Sequence, residues 1–202
     1  EHIRVGAARG AEGLPGVERW RILSPLLSDR VLAVRSEVAS TLLPLWSELN
    51  EQQRSMLTPA LDDYLAIQDF NADRGFAHTN KANVLVQLGK LQEAERAYKT
   101  SIRIEPYFSN AYINLADLYR HQQKDAASIA LLQTAAMTIP DDGSISYSLG
   151  LAYIRAKEQS EAINAFKTAS VLEPRNARFH YVYGLSLEAT QLQQAQKEIR
   201  KA

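Results

Sequence analysis

Small, bulky and polar positions return in a fixed order every 34 residues along the second half of the chain. When the stretches 75–108, 109–142 and 143–176 are laid over one another, Ala82, Ala116 and Gly150 coincide, with Gly184 one period further on. Leu85, Tyr119, Tyr153 and Leu187 coincide next, then Ala94, Ser128 and Ala162, then Tyr98, Leu132 and Phe166. Ser101, Ala135 and Ala169 follow, and Pro106, Pro140 and Pro174 close the series. A period of this length is that of paired antiparallel helices stacked in series. Two helices can touch closely only where one presents Gly or Ala, and a ring from the other fills the gap beside it. The proline then ends the second helix of each pair. The pattern predicts an all-α, right-handed α-α superhelix (solenoid) without strands, because no stretch alternates with a period of two.

The flanks follow other rules. In residues 1–49, Ile3, Arg4, Val5, Ala7 and Ala8 recur as Val34, Arg35, Val38 and Ala39, and Asp29 precedes Arg35 by six positions. Pro15 and Gly16 open an intervening helix that Pro25 should bend. After a break at Pro44, Asn50 and Gln53 predict a capped helix start. Past Pro59, residues Ala60, Tyr64 and Ile67 stand 34 places before Ala94, Tyr98 and Ser101, so 50–74 read as a degenerate second helix bridging the two patterns. Residues 177–190 repeat the first helix once more, after which Gln196 and Arg200 take the places of Ala162 and Phe166. The expected organisation is therefore 1–49, 50–74, three repeats over 75–176, and capping helices over 177–202, with a polar, solvated final surface. No Gly/Ser-rich or Pro-rich stretch interrupts it, which favours one continuous superhelix over hinged domains.

The repeats of 75–176 resemble the tetratricopeptide repeat, and 143–176 fit best, with Leu149, Gly150, Tyr153, Ala162, Phe166, Ala169 and Pro174 on pattern. Lys81 departs where Leu149 stands, and Ser128 replaces a packing alanine. Residues 1–49 resemble the HEAT repeat, whose turn Asp and helix-head Val-Arg tie adjacent turns together. About one and a half such repeats are present, and residue 1 lies within a helical pattern, so the chain is expected to be a piece of a longer one.

The tetratricopeptide resemblance implies that first helices line a concave groove. Their inward stripe would be Thr79, Asn83 and Val86; Ile113, Asp117 and Arg120; Tyr147, Leu151 and Ile154; then Tyr181, Leu185 and Glu188, running from polar to apolar. Asn83 and Asn114 match the asparagines of the carboxylate-clamp class, which binds chaperone tails. The clamp's cation places hold Thr79, Ser144 and Ser148, which could not offset a buried carboxylate, so tail binding is rejected. The two amides then either bond an extended peptide backbone or cap turns and face water.

One wider resemblance remains. HEAT-like repeats, an Asn-Ala-Asp-Arg turn at 71–74 and Asn-Leu-Ala-Asp-Leu-Tyr at 114–119 are together similar to the C-terminal region of bacterial multihaem c-type cytochromes with tetratricopeptide repeats. That implies a periplasmic electron-transfer protein whose haem c sits upstream. A cytoplasmic location stays open, because Cys-x-x-Cys-His segments and all cysteines are missing from these 202 residues, which therefore hold no cofactor.

Composition narrows the chemistry. Lys plus Arg and Asp plus Glu are 23 each, and no basic stripe points to nucleic acid. No run is long and apolar enough for membrane insertion. The four histidines, His2, His78, His121 and His180, have no i, i+4 partner for a metal, and packing is the favoured role of His78 and His180, which share a register place with Tyr112. Adjacent carboxylates such as Asp62 and Asp63, or Asp141 and Asp142, do not face each other on a helix. No nucleophile elbow, phosphate loop or dinucleotide fingerprint occurs, so an enzyme is not expected. Two readings compete: a scaffold that binds a protein or peptide in the groove, and a structural appendage packed on an upstream redox domain. The oligomeric state is unread. The two readings divide on whether Tyr147, Leu151, Ile154, Tyr181 and Leu185 are open or covered by a final helix over 192–202.

Overall fold

A computed structural model describes residues 2–187, 195 and 198–201; Glu188, Gln196 and most of the expected final helix over 192–202 lie outside them. The described chain is helical and contains no strand among these residues. It divides into two compact units, Glu1–Ala97 and Tyr98–Ala202.

The first unit contains α1 (His2–Gly10), α2 (Gly16–Leu23), α3 (Leu32–Leu42), α4 (Glu51–Phe70), α5 (Gly75–Gln87) and the start of α6 (Leu91–Ile104). Pro25 does not bend α2 but ends it: the chain passes into a 3-10 turn at Ser24–Ser28, where the missing N–H is not needed. Pro44 does the same after α3, in Leu43–Leu45. The capping box of α4 is formed, with Gln53 N–H donating to Asn50 Oδ1 at 2.9 Å and Asn50 N–H to Gln53 Oε1 at 3.0 Å. Leu23, Val34, Val38, Leu42 and Leu57 form a fully buried aliphatic core. Around it, Arg4 meets Asp29 at 2.9 Å and Arg35 meets Asp63 at 2.6 Å, while a second N–H of Arg35 donates to the Asp29 carbonyl at 2.7 Å. The Asp29 carboxyl is held below its ordinary range, first by the Val31 N–H and then by Arg4, against the opposing effect of burial.

The second unit continues with α7 (Ser109–His121), α8 (Asp125–Thr138), α9 (Gly143–Arg155), α10 (Gln159–Leu172) and α11 (Ala177–Leu187). First helices α5, α7, α9 and α11 begin at 75, 109, 143 and 177, and second helices α6, α8 and α10 at 91, 125 and 159, so the register of 34 holds to the residue. Each hairpin turns on a left-handed residue in the same register place: Gly89 (φ 74°), Gln123 (φ 59°) and Lys157 (φ 63°). The next N–H closes back on the first helix in each case, Lys90 to Leu85, Lys124 to Tyr119 and Glu158 to Tyr153, at 2.8–2.9 Å. Only Gly89 adopts that backbone freely; at Gln123 and Lys157 it costs roughly 1–2 kcal/mol each.

Inside the pairs, small meets large. A Cβ at Gly150 would stand 2.5 Å from the Phe166 ring, which is itself buried. Ser128 does not weaken its contact as a plain loss of packing would suggest: it is buried with its hydroxyl donating to the Ala116 carbonyl at 3.1 Å. Three register-equivalent side chains also tie each first helix to the turn before it. His78 Nε2 bonds the Ala72 carbonyl at 2.9 Å, Tyr112 Oη donates to Pro106 at 3.1 Å, and His180 Nε2 bonds Pro174 at 3.1 Å.

Past Leu187 only 195 and 198–201 are described, and they are mixed in exposure. Arg200 is exposed, but Ala195 is buried against Tyr183 and Leu187, and the Ile199 side chain reaches the Gly184 site. Glu198 is buried too, bonding His180 Nδ1 and Lys201 Nζ at 2.9 Å each.

Candidate functional site

On α9 and α11, positions four and seven residues apart share a face. Leu151 (36% exposed), Ile154 (42%), Tyr181 (48%) and Leu185 (43%) are the large apolar side chains left open there. Leu151 and Ile154 also line a groove of about 430 Å³ between α7, α8 and α9. It brings together five of the residues singled out by register, Ile113, Asp117, Arg120, Leu151 and Ile154, over a floor of Ala116, Ser128 and Leu132.

Others fall elsewhere. Asn83 is half-buried on α5, in the first unit, while Asn114 is half-buried on α7. Thr79 is buried and cannot belong to an open stripe. Tyr147 is half-buried, with neighbours on both faces of its ring: it stacks on Phe179 (centroids 5.0 Å apart, 21° between planes) and tilts against Phe166 (5.8 Å, 52°). Its outer face lies 5.1 Å from the Arg178 guanidinium, whose Nε donates to the Tyr147 hydroxyl at 3.0 Å.

The charges of the groove are largely self-matched. Arg120 Nε donates to Asp117 Oδ1 at 2.7 Å, a bond that raises the guanidinium's already high pKa further. Arg155 donates to Asp125 at 3.1 Å and to the Leu151 carbonyl at 3.2 Å. Such half-exposed pairs contribute at most about 1 kcal/mol each, so they shape the groove more than they stabilise it. Behind the groove, burial drives the Tyr98 hydroxyl's pKa well up, with the Asp117 charge adding to it. Among the described residues no group of three His, Cys, Asp or Glu is placed to hold a metal ion.

Sequence reasoning missed Arg155 in the groove lining and Arg178 above Tyr147, and placed Ser148 only as a clamp position without its cation. Arg178 was findable, since it lies three residues before Tyr181 on the same helix face.

Residues 85–151 and 147–196 each match a family model described as Tetratricopeptide repeat. The two stretches join into more than half of the chain, which over that length is a tetratricopeptide-repeat protein. Among solved structures, MamA is 19% identical with a TM-score of 0.57, covering 76% of this chain and 92% of its own. The first tetratricopeptide domain of Spaghetti (RPAP3), bound to the HSP90 peptide SRMEEVD, is 20% identical with a TM-score of 0.51, covering 58% and 94%. At these identities the likeness is one of fold. A curated relative, the General transcriptional corepressor ssn6 of Schizosaccharomyces pombe, is 26% identical over 174 residues, 80% of this chain. The chain spans only 14% of that protein's length. No described helix is long and apolar enough to cross a membrane.

Proposed function

We propose that this chain is a protein-interaction scaffold, not an enzyme, and that the first-helix face of its second unit binds a polypeptide segment. The carrying observation is the open row Leu151, Ile154, Tyr181 and Leu185, four large apolar side chains on neighbouring turns of two adjacent helices. Ile113, Asp117 and Arg120 border it through the groove; Asn114 on α7 is a further candidate backbone contact, and Asn83, in the first unit, is a candidate contact of its own. The Spaghetti domain of the same fold holds a peptide, which supports this reading. A photo-crosslinking amino acid placed at Tyr181 should capture a discrete polypeptide that the same group at Met137, on the second-helix face, does not. Equal labelling from both positions would sink the proposal and favour a purely structural appendage.

The setting is also a proposal. Ion pairs Arg4–Asp29 and Arg35–Asp63 support a HEAT-like first unit, since they join side chains from neighbouring elements in the way that repeat uses its Asp and Arg. The order of repeat types is the support for an accessory region of a periplasmic multihaem cytochrome. Having no cysteine, this chain has no thiol to which a haem c could be attached, so in this setting a c-type haem would be attached in another part of a longer protein. Cys-x-x-Cys-His motifs in the coding sequence upstream, and haem staining of the full protein, test that setting.

A further inference from the structure

Three guanidiniums border the apolar row, and they are not equivalent. Arg120 and Arg155 each have a carboxylate within 3.1 Å, Asp117 and Asp125 respectively. Arg178 has none among the described residues, yet it is the best positioned of the three. Its Nε is fixed by the Tyr147 hydroxyl and its plane lies over a ring that Phe179 and Phe166 hold from behind. A side chain ordered in advance loses less entropy on binding, and a guanidinium with unspent N–H groups recognises carboxylates best. Arg175, close by in the turn, is likewise without an ion pair among the described residues, whereas Glu173 is occupied by the Asn176 amide at 2.9 Å.

We infer that the arginine end of the α11 face reads acidic side chains, so that the segment bound by this unit is an acidic stretch next to bulky apolar anchors. The inference rests on the binding reading above and names the partner's chemistry. Arg178, Tyr181 and Leu185 lie three and four residues apart on one helix face, which spaces them by about 4.5 and 6 Å along the axis. A carboxylate at Arg178 therefore stands one to three extended residues from the first apolar anchor, at roughly 3.3 Å per residue. Among the described residues the surface stays open beyond Arg178: a cleft of about 750 Å³ lined by Glu173–Arg178 lets the bound chain run on. The recognised group is thus a Glu or Asp side chain within a segment, not a terminal carboxylate.

The test takes the 202-residue chain and short fluorescent peptides, acetylated and amidated, with Leu and Phe anchors preceded by either two Glu or two Lys. At low salt, where charge is least screened, anisotropy should show the Glu peptide binding about tenfold or more tightly than the Lys peptide. Arg178→Glu, with helix content checked by circular dichroism, should reverse that order. Arg178→Met, which keeps an apolar stem on Tyr147, should bring the two peptides close together and covers the case in which the charge reversal disturbs folding. Equal binding of both peptides to the unaltered chain, or an order that neither variant changes, overturns the acidic reading and leaves the apolar face intact. A peptide lacking Glu but ending in a free carboxylate that binds more tightly than the Glu peptide overturns the assignment to a side chain. Failure of every peptide to bind overturns both this inference and the binding face beneath it.

Discussion

Helices in the first unit meet through aliphatic side chains, Leu23, Val34, Val38, Leu42 and Leu57, ringed by arginine–carboxylate pairs. Helices in the second unit meet through Ala116, Ala135, Gly150, Ala152 and Ala162, set against Tyr112, Leu132, Tyr153 and Phe166. The difference teaches what makes a repeat legible. Aliphatic packing tolerates exchange among Leu, Ile and Val, so little of it survives as a sequence pattern. A glycine under a ring tolerates almost no exchange, because any Cβ there must displace an aromatic already in place, and the pattern persists.

Mutation should show that contrast most strongly at Phe166. Phe166→Ala is expected to cost about 3–5 kcal/mol, the loss of a buried ring plus the cavity it leaves, read by chemical denaturation. Leu57→Ala, its counterpart in the aliphatic core, should cost about 2–5 kcal/mol. If Phe166→Ala unfolds like the unaltered chain, the ring is not the keystone of its pair.

Glycines sharpen the comparison further. Gly150→Leu should cost about 1–3 kcal/mol by overpacking, since even its Cβ falls 2.5 Å from the Phe166 ring. Gly6 on α1 has nothing within 4 Å, so Gly6→Ala should raise stability by about 0.5–1 kcal/mol by removing backbone freedom from the unfolded chain. Opposite shifts in melting temperature are the expected result; shifts of the same sign would contradict the packing described.

A smaller effect is confined to the first unit. Asn50→Ala removes the acceptor for the Gln53 N–H and should cost about 1 kcal/mol, visible as a lowered denaturation midpoint with fraying of α4 in hydrogen exchange.

Acid should act on both units, and least. Asp29 in the first and Glu198 in the second are both held below their ordinary values of 3.8 and 4.5. For Glu198, burial is the largest single influence and works the other way, but Lys201 and His180, through hydrogen bonds and charge together, outweigh it. A depressed carboxyl stabilises the fold above its unfolded pKa, and that contribution is lost as pH falls through the lower folded value. Stability from these two groups should therefore be steady from neutral pH to about 5 and decline below it. Asp29→Asn and Glu198→Gln should each flatten that decline, and an unchanged acid profile in both variants would remove these carboxyls from the account.

Much of the second unit could be read in advance, down to the helix starts at 109, 143 and 177. The turns could not. Gln123 and Lys157 adopt the left-handed backbone that Gly89 adopts, and neither residue type signals it, because the conformation is imposed by the packed helices on either side. In the first unit the capping box at Asn50 was legible, since its two bonds join neighbours in sequence. The division of the chain at Ala97 and Tyr98 was not, because it falls inside α6, where no glycine, proline or polar run marks it. Of the candidate site, the stripe positions Leu151, Ile154, Tyr181 and Leu185 came from register, and Arg155 came only from the groove.

The sequence by itself determined which residues face one another within a helix pair, because complementarity of size between a glycine and a ring is local and recurs at a constant spacing. Only the tertiary structure decided which members of the stripe are open. Tyr147 and Leu151 are neighbours on one helix, yet Tyr147 is covered by Phe179 and Arg178, side chains from a helix that begins 34 residues later, while Leu151 is not. Exposure is a property of what is brought alongside, and that depends on how each left-handed turn sets its helix against the next.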